Sequence, residues 1–249
     1  MSDAASRPLA LVVALTLAIG GLVVSAVTGI LGTVIGALVG AGASPSSPER
    51  AVPALVGVLL VASEAGFVLI GYAFRQTDDG AGVGIDWIAP GSPNIRDAVL
   101  VVVTTAGLIA CNRVAFAVGS LVGIDPVTAV SAPDELSLTV FAFMAPAMLL
   151  AVGPAEEYLF RGVVQGYLEQ SFSARGAVGW SAVLFTVIHL PNLLPNPEAG
   201  IVSVPVWLVV GLVLGWLYER TGALLVPILV HGLYNVTVLA ILFAELGVL

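Results

Sequence analysis

The sequence predicts an all-α, polytopic membrane protein: a helix bundle of about seven spans, or eight if the first apolar run divides. Three observations predict it. Of 249 residues, 59% are apolar and only 10% are charged, where a soluble domain carries about 25% charged. Mean hydropathy is +1.08. The apolar residues form continuous runs, not the alternation of a membrane barrel. The same composition excludes disorder, and a lone cysteine, Cys111, excludes a disulfide scaffold.

Each run is long enough to span about 20 residues of bilayer. Residues 8–48, 136–155, 176–197, 199–218 and 221–244 carry no Asp, Glu or Arg. Residues 51–74 hold one charge, Glu64, and residues 98–124 hold one, Arg113. The first run is too long for one upright span. As a single helix its apolar part would reach about 54 Å, against a hydrocarbon core of about 30 Å. It is either one tilted helix or two short ones. Its length also exceeds the apolar core of a secretory signal. Gly32, Gly36 and Gly40 lie four apart on it, a stripe that lets helices pack closely. Turn-rich connections are expected at Ser44–Arg50, Gln76–Asp97, Asp125–Glu135 and Pro191–Gly200.

Net charge is -8, and all eight basic residues are arginines. A lysine-free acidic chain lacks the basic patches that nucleic acid requires, so no nucleic-acid partner is expected; membrane lipids are. Arginine counting orients the spans. With the N-terminus and Arg7 cytoplasmic, Arg75, Arg96, Arg161, Arg175 and Arg220 also fall inside, and only Arg50 disagrees.

Ionisable residues within apolar runs are candidate functional groups. Both histidines of the chain, His189 and His231, lie in such runs, and Glu156, Glu157 and Arg161 follow the run 136–155. Glu157 and Arg161 share a helical face in the favourable order for an ion pair. Glu156 points about 100° away, so one carboxylate is neutralised while its neighbour stays free. A carboxylate in an apolar wall gains proton affinity, as a general base near neutral pH requires. Phe185 and His189 are four apart, and Pro191 ends or bends their helix. His231 and Asn235 are also four apart and offer hydrogen-bond donors suited to an oxyanion. Pro227, one turn earlier, loosens that helix, and Gly232 permits close approach. Taken singly, each pair reads equally as an interfacial ion pair, a packed histidine or an interhelical clamp. Their collection from three spans points to one interior site.

The ordered set Glu156-Glu157-x-x-x-Arg161, Phe185-x-x-x-His189 and His231-x-x-x-Asn235 resembles the three motifs of the CAAX protease and bacteriocin-processing family, also called the Abi family. That family includes the type II CAAX prenyl endopeptidases. The resemblance covers roughly residues 136–240. It implies an intramembrane endopeptidase with a catalytic core at 136–249, preceded by N-terminal membrane helices and loops at 1–135. By the same resemblance, Glu156 and His189 activate a water, and His231 and Asn235 stabilise the oxyanion. Glu157 and Arg161 support the site, and Phe185 lines it. The implied partner is a peptide or protein substrate, prenylated or not. No cofactor is favoured. Zinc is the alternative, with Glu156, His189 and His231 as three ligands around an open water position. The expected setting is the cell membrane, with the site opening toward the cytoplasm. Two other readings stay open: a catalytically silent scaffold or immunity protein of the same fold, and a proton-coupled transporter.

Of the remaining residues, Glu64 and Arg113 are expected to find partners, and a Glu64–Arg113 pair is the simplest arrangement. Cys111 reads as a small apolar packer.

Overall fold

The structure, a computed structural model, describes residues 6–43, 48–124 and 137–249, with side chains described outside 40–53. The connection expected at Asp125–Glu135 and the first residues of that at Ser44–Arg50 lie outside the described residues. Among the described residues, seven helices are long and apolar enough to cross a membrane, and there is no strand. The protein is integral to the membrane. The helices are α1 (Arg7–Ala43), α2 (Pro48–Arg75), α3 (Ile95–Leu121), α4 (Leu138–Leu168), α5 (Ala174–His189), α6 (Gly200–Thr221) and α7 (Leu225–Glu245). The long first run is thus one helix of 37 residues.

Polar side chains start three of the helices by capping their free amides. Asn94 closes a capping box with Asp97 at α3, Ser137 accepts from the Val140 amide at α4, and Ser173 accepts from the Gly176 amide at α5. Gly222 ends α6 with φ +69°, a left-handed conformation that favours glycine.

α1 and α2 form a close hairpin. A Cβ on Gly32 would collide with Ala62 Cβ, and one on Gly66 with the backbone at Ser25. Gly32 and Gly36 of the stripe thus take up side chains of α2, Ala62, Leu55 and Val58 among them. This hairpin covers the far half of α4, where every residue from Tyr158 to Gln165 is buried. Phe160 packs edge-on against Phe185 of α5 and tilted against Phe67 of α2. The near half of α4 packs its Val140, Met144, Met148 and Val152 against Leu239 and Phe243 of α7.

The helix α4 runs on well past the charge-free stretch that ends at residue 155. Glu156, Glu157 and Arg161 therefore lie in mid-span and not at its end, as the charge pattern had suggested. Its turns widen to π geometry at Met148–Val152 and Tyr158–Gln165, on either side of the two glutamates. Such widenings re-aim side chains and recur at functional sites.

Contacts at both ends show that the spans alternate in direction. Arg7 donates to the Ser171 carbonyl, and the amides of Leu224 and Leu225 donate to the carbonyls of Asp86 and Trp87. These join the start of α1, the α2–α3 connection, the α4–α5 connection and the start of α7 at one end. At the other end, Arg113 pairs with Glu245 at 2.7 Å, and a Cβ on Gly119 would stand 2.9 Å from Val202. The expected Glu64–Arg113 pair does not form. Arg113 lies near the far end of α3, where the last turn of α7 offers it a carboxylate. Glu64 is instead buried on α2, in the wall of an apolar groove of about 670 Å³ shared with Pro154 and Tyr158 of α4.

Candidate active site

The site is built on a close crossing of α4 and α7. A Cβ on Gly153 would lie 3.2 Å from the Ile228 carbonyl oxygen, and one on Gly232 would lie 3.1 Å from Leu149 Cα. Only hydrogens fit between these backbones. The crossing brings Glu156 and Glu157, three and four residues beyond Gly153, beside His231. Pro227 does not loosen α7, because that helix begins at Leu225 and the bond in question was never due.

Glu157 is fully buried and accepts two hydrogen bonds at Oε1, each 2.7 Å long. One comes from Arg161 Nη1, the other from His231 Nδ1. The guanidinium of Arg161, also fully buried, gives its second arm to the Gly211 carbonyl of α6 and lies 4.7 Å over the Phe185 ring. The added hydrogen bonds offset part of the desolvation of this buried pair, while Glu157 Oε2 and Arg161 Nε have no hydrogen-bond partner. The polar line continues along α4 at four-residue steps. Gln165 reaches the Gly215 carbonyl and Glu219 of α6, and Glu169 shares a hydrogen bond with Glu219. Gly215 of α6 leaves room for Gln165, and Gly211 lets α5 approach at Ala182.

Glu156 turns the other way. Its Oε2 is buried, has no hydrogen-bond partner in the protein, and stands 3.9 Å from His231 Nε2. That separation is too long for a direct hydrogen bond and lets one water touch both atoms.

His189 ends α5, where a 3-10 turn over Leu190–Leu193 takes up the strain of Pro191. Its Nδ1–H donates to the Phe185 carbonyl at 2.8 Å, since a carbonyl only accepts. The same logic makes His231 Nδ1–H the donor to the Glu157 carboxylate. Both rings therefore present Nε2 away from their anchoring bonds. Phe185 packs against both, with centroids 4.6 Å from His189 and 5.8 Å from His231.

Glu156, Phe185, His189, His231 and Asn235 line one cavity of about 230 Å³, together with residues of α3 and α6. Glu157 and Arg161 stand behind it. The structure thus brings together all seven residues singled out from the sequence. It adds Asn112 of α3, Asn192, Ser203 and Trp207, and Tyr234 of α7. Asn112 Nδ2 donates to the Tyr234 hydroxyl at 3.2 Å, and Trp207 packs 5.5 Å from His189. Tyr234 was findable, three residues after His231 and so on the same face. Asn112 was overshadowed by its charged neighbour Arg113.

The proposed zinc triad is not preformed. Among the described residues no three His, Cys, Asp or Glu side chains converge to hold a metal ion.

Residues 138–237 match a family model, Rce1-like, described as type II CAAX prenyl endopeptidase Rce1-like. This stretch is similar to that family and is called the Rce1-like domain below. No curated protein and no solved structure matches the chain. The Rce1-like domain takes in α4, α5, α6 and most of α7, and every motif residue lies inside it. Asn112 comes from outside it.

One pair of expectations fails on this geometry. The cavity reaches the surface at exposed Asn192, beside the α5–α6 connection. That is the end opposite Arg7. α5 enters from the Arg7 end at Ala174 and delivers His189 only at its last residue. A cytoplasmic N-terminus and a site opening toward the cytoplasm are therefore incompatible.

Proposed function

We propose that the protein is an intramembrane endopeptidase that hydrolyses a peptide bond in a membrane-associated or lipid-modified polypeptide. The supporting observation is the single cavity onto which Glu156, His189, His231 and Asn235 open from three helices of the Rce1-like domain. Glu156 Oε2 has no protein partner that would compete for a water, and His189 is anchored through Nδ1, so that Nε2 is its remaining ring nitrogen. In the substrate complex a water drawn between these two groups meets two acceptors, while His231 Nε2 turns to the substrate carbonyl. Glu156 takes its proton as the oxygen attacks the substrate carbonyl.

His231 acts on the other side of the reaction. Its Nδ1–H is fixed on Glu157, which Arg161 holds in turn. A proton on Nε2 makes the ring a donor at both nitrogens, backed by a buried carboxylate. With the Asn235 carboxamide it stabilises the oxyanion of the tetrahedral intermediate. The C–N bond then breaks as Glu156 returns its proton to the leaving amine, which balances the hydrolysis. Glu157 and Arg161 are positioning residues. The mechanism uses the chain's own groups and no metal.

The test is cleavage of quenched fluorescent peptides by the detergent-purified protein, one series farnesylated at a cysteine and one unmodified. Glu156→Gln and His189→Ala are each expected to lose at least about 100-fold in kcat/KM. A chelator such as 1,10-phenanthroline leaves the parent rate unchanged. Undiminished cleavage by both variants ends the proposal. No cleavage of either series by folded parent protein favours the silent scaffold.

A further inference from the structure

We infer that the catalytic cavity opens on the non-cytoplasmic face of the membrane, and that its substrate is a polypeptide segment exposed on that face. The inference rests on the peptidase reading for its substrate and on independent observations for its sidedness.

The bundle has two ends, and the end-to-end contacts assign each connection to one of them. Arg7, Arg75, Arg96, Arg175 and Arg220 all belong to the end that carries the start of α1, with the α2–α3, α4–α5 and α6–α7 connections. Arg161 is buried in mid-span and counts for neither end. The opposite end carries Arg50 near the start of α2, and Arg113, which is bonded to Glu245. The connections are short, and these arginines lie close to span ends, which is the situation in which basic residues decide orientation. The end with five arginines is therefore cytoplasmic.

The cavity belongs to the other end. Its walls come from Asn112 and Phe116 in the second half of α3, Met148 and Val152 in the first half of α4, and His189 and Asn192 at the end of α5, and its floor lies in mid-span at Glu156 and His231. The α6 wall is likewise the first half of that helix, from Ser203 to Val210. A chain inserted this way meets polypeptide delivered from outside: an exported peptide, or the outer juxtamembrane segment of another membrane protein. A lipid-modified tail held in the cytoplasmic leaflet stands on the wrong side of Glu156.

Single-cysteine labelling in a Cys111→Ser background tests the sidedness without reference to activity. Leu194→Cys stands at the cavity end and Asp78→Cys at the other, both exposed. In intact spheroplasts, a membrane-impermeant maleimide is expected to label Leu194→Cys and to reach Asp78→Cys only after permeabilisation. If either variant fails to accumulate, fusions at Leu249 report the same face: alkaline phosphatase active and a cytoplasm-dependent fluorescent protein dark. Labelling of Asp78→Cys from outside, with Leu194→Cys protected, overturns the inference, as does a bright fluorescent fusion with inactive phosphatase. Peptide cleavage is then expected from right-side-out vesicles and lost from sealed inside-out ones. Cleavage only by inside-out vesicles overturns the substrate assignment. Outside labelling with no cleavage from either face supports the sidedness and overturns the peptidase reading instead.

Discussion

Glu157 Oε1 receives His231 Nδ1 and Arg161 Nη1 at the same 2.7 Å distance. One buried carboxylate thus orients an imidazole and neutralises a guanidinium, coupling catalysis to stability. Replacements should separate the two effects. Glu157→Gln keeps the volume and can still accept a bond, so the helix packing survives while the charge behind His231 is lost. Its kcat/KM is expected to fall about 100-fold, or about 2.7 kcal/mol of transition-state stabilisation. Both variants leave the Arg161 charge in the core without its carboxylate, which costs about 3–5 kcal/mol, and Glu157→Ala also loses the hydrogen-bond acceptor and leaves a void. Thermal unfolding in detergent should show both variants destabilised, Glu157→Ala the more. Equal unfolding temperatures for the two would contradict the buried-pair account.

Asn112 and Tyr234 form a comparable link from outside the Rce1-like domain. The Asn112 amide occupies a lone pair of the phenol oxygen, so the hydroxyl proton is left for a group in the cavity. Tyr234→Phe removes that donor and keeps the ring. A loss of about tenfold in kcat is expected, or about 1.4 kcal/mol. The stability cost is that of one hydrogen bond, about 1 kcal/mol. Asn112→Leu should reproduce part of the kinetic loss from α3. An unchanged kcat in Tyr234→Phe would mark the contact as an interhelical clamp only.

The helices and the motif residues were legible in the sequence for one physical reason. Charge is so costly in hydrocarbon that the few ionisable groups inside apolar runs stand out, as His189, His231 and Glu157 do. The same reasoning misplaced the end of α4. A charge pattern ends a span at Glu156, but Glu157 and Arg161 neutralise one another and the helix continues to Leu168. It also paired Glu64 with Arg113, because partners on separate helices depend on height in the bilayer, which composition does not encode. The cavity's facing was hidden for a related reason. It depends on His189 lying at the far end of α5, a fact of helix direction and not of residue type.

At the end of the polar line on α4, Glu169 is held up to about 7, by burial first and then by the Glu219 carboxyl that shares its hydrogen bond; Gln165 opposes the shift. An ordinary glutamate titrates near 4.5. Below that value both folded and unfolded chains carry the proton. Between about 4.5 and 7 the unfolded chain releases it while the folded chain keeps it, so rising pH lowers stability through this window and the effect levels off above it. Glu169→Gln stays neutral throughout. Its unfolding temperature, followed from pH 4.5 to 8, is expected to lack the decline seen in the parent and to exceed the parent above pH 7. Parallel profiles for the two proteins would show that Glu169 is not the group responsible.

Gly232 tests whether the α4–α7 crossing sets the catalytic geometry. A methyl group there meets Leu149 Cδ1 at 2.8 Å and Leu149 Cα at 3.1 Å. The leucine side chain can swing aside, but the backbone cannot, so α4 and α7 must separate by a few tenths of an ångström. That motion carries His231 away from Glu157 and Glu156. Gly232→Ala is expected to destabilise by about 1–3 kcal/mol through overpacking and to lower kcat by up to about 100-fold through misplacement. Gly107 of α3 is the control, because nothing lies within 4 Å of the position a Cβ would take. Gly107→Ala gains helix propensity, about 0.5–1 kcal/mol, and leaves the rate alone. If Gly232→Ala retains the parent rate while losing stability, the crossing serves packing alone and the site tolerates more separation than the 2.7 Å bonds imply.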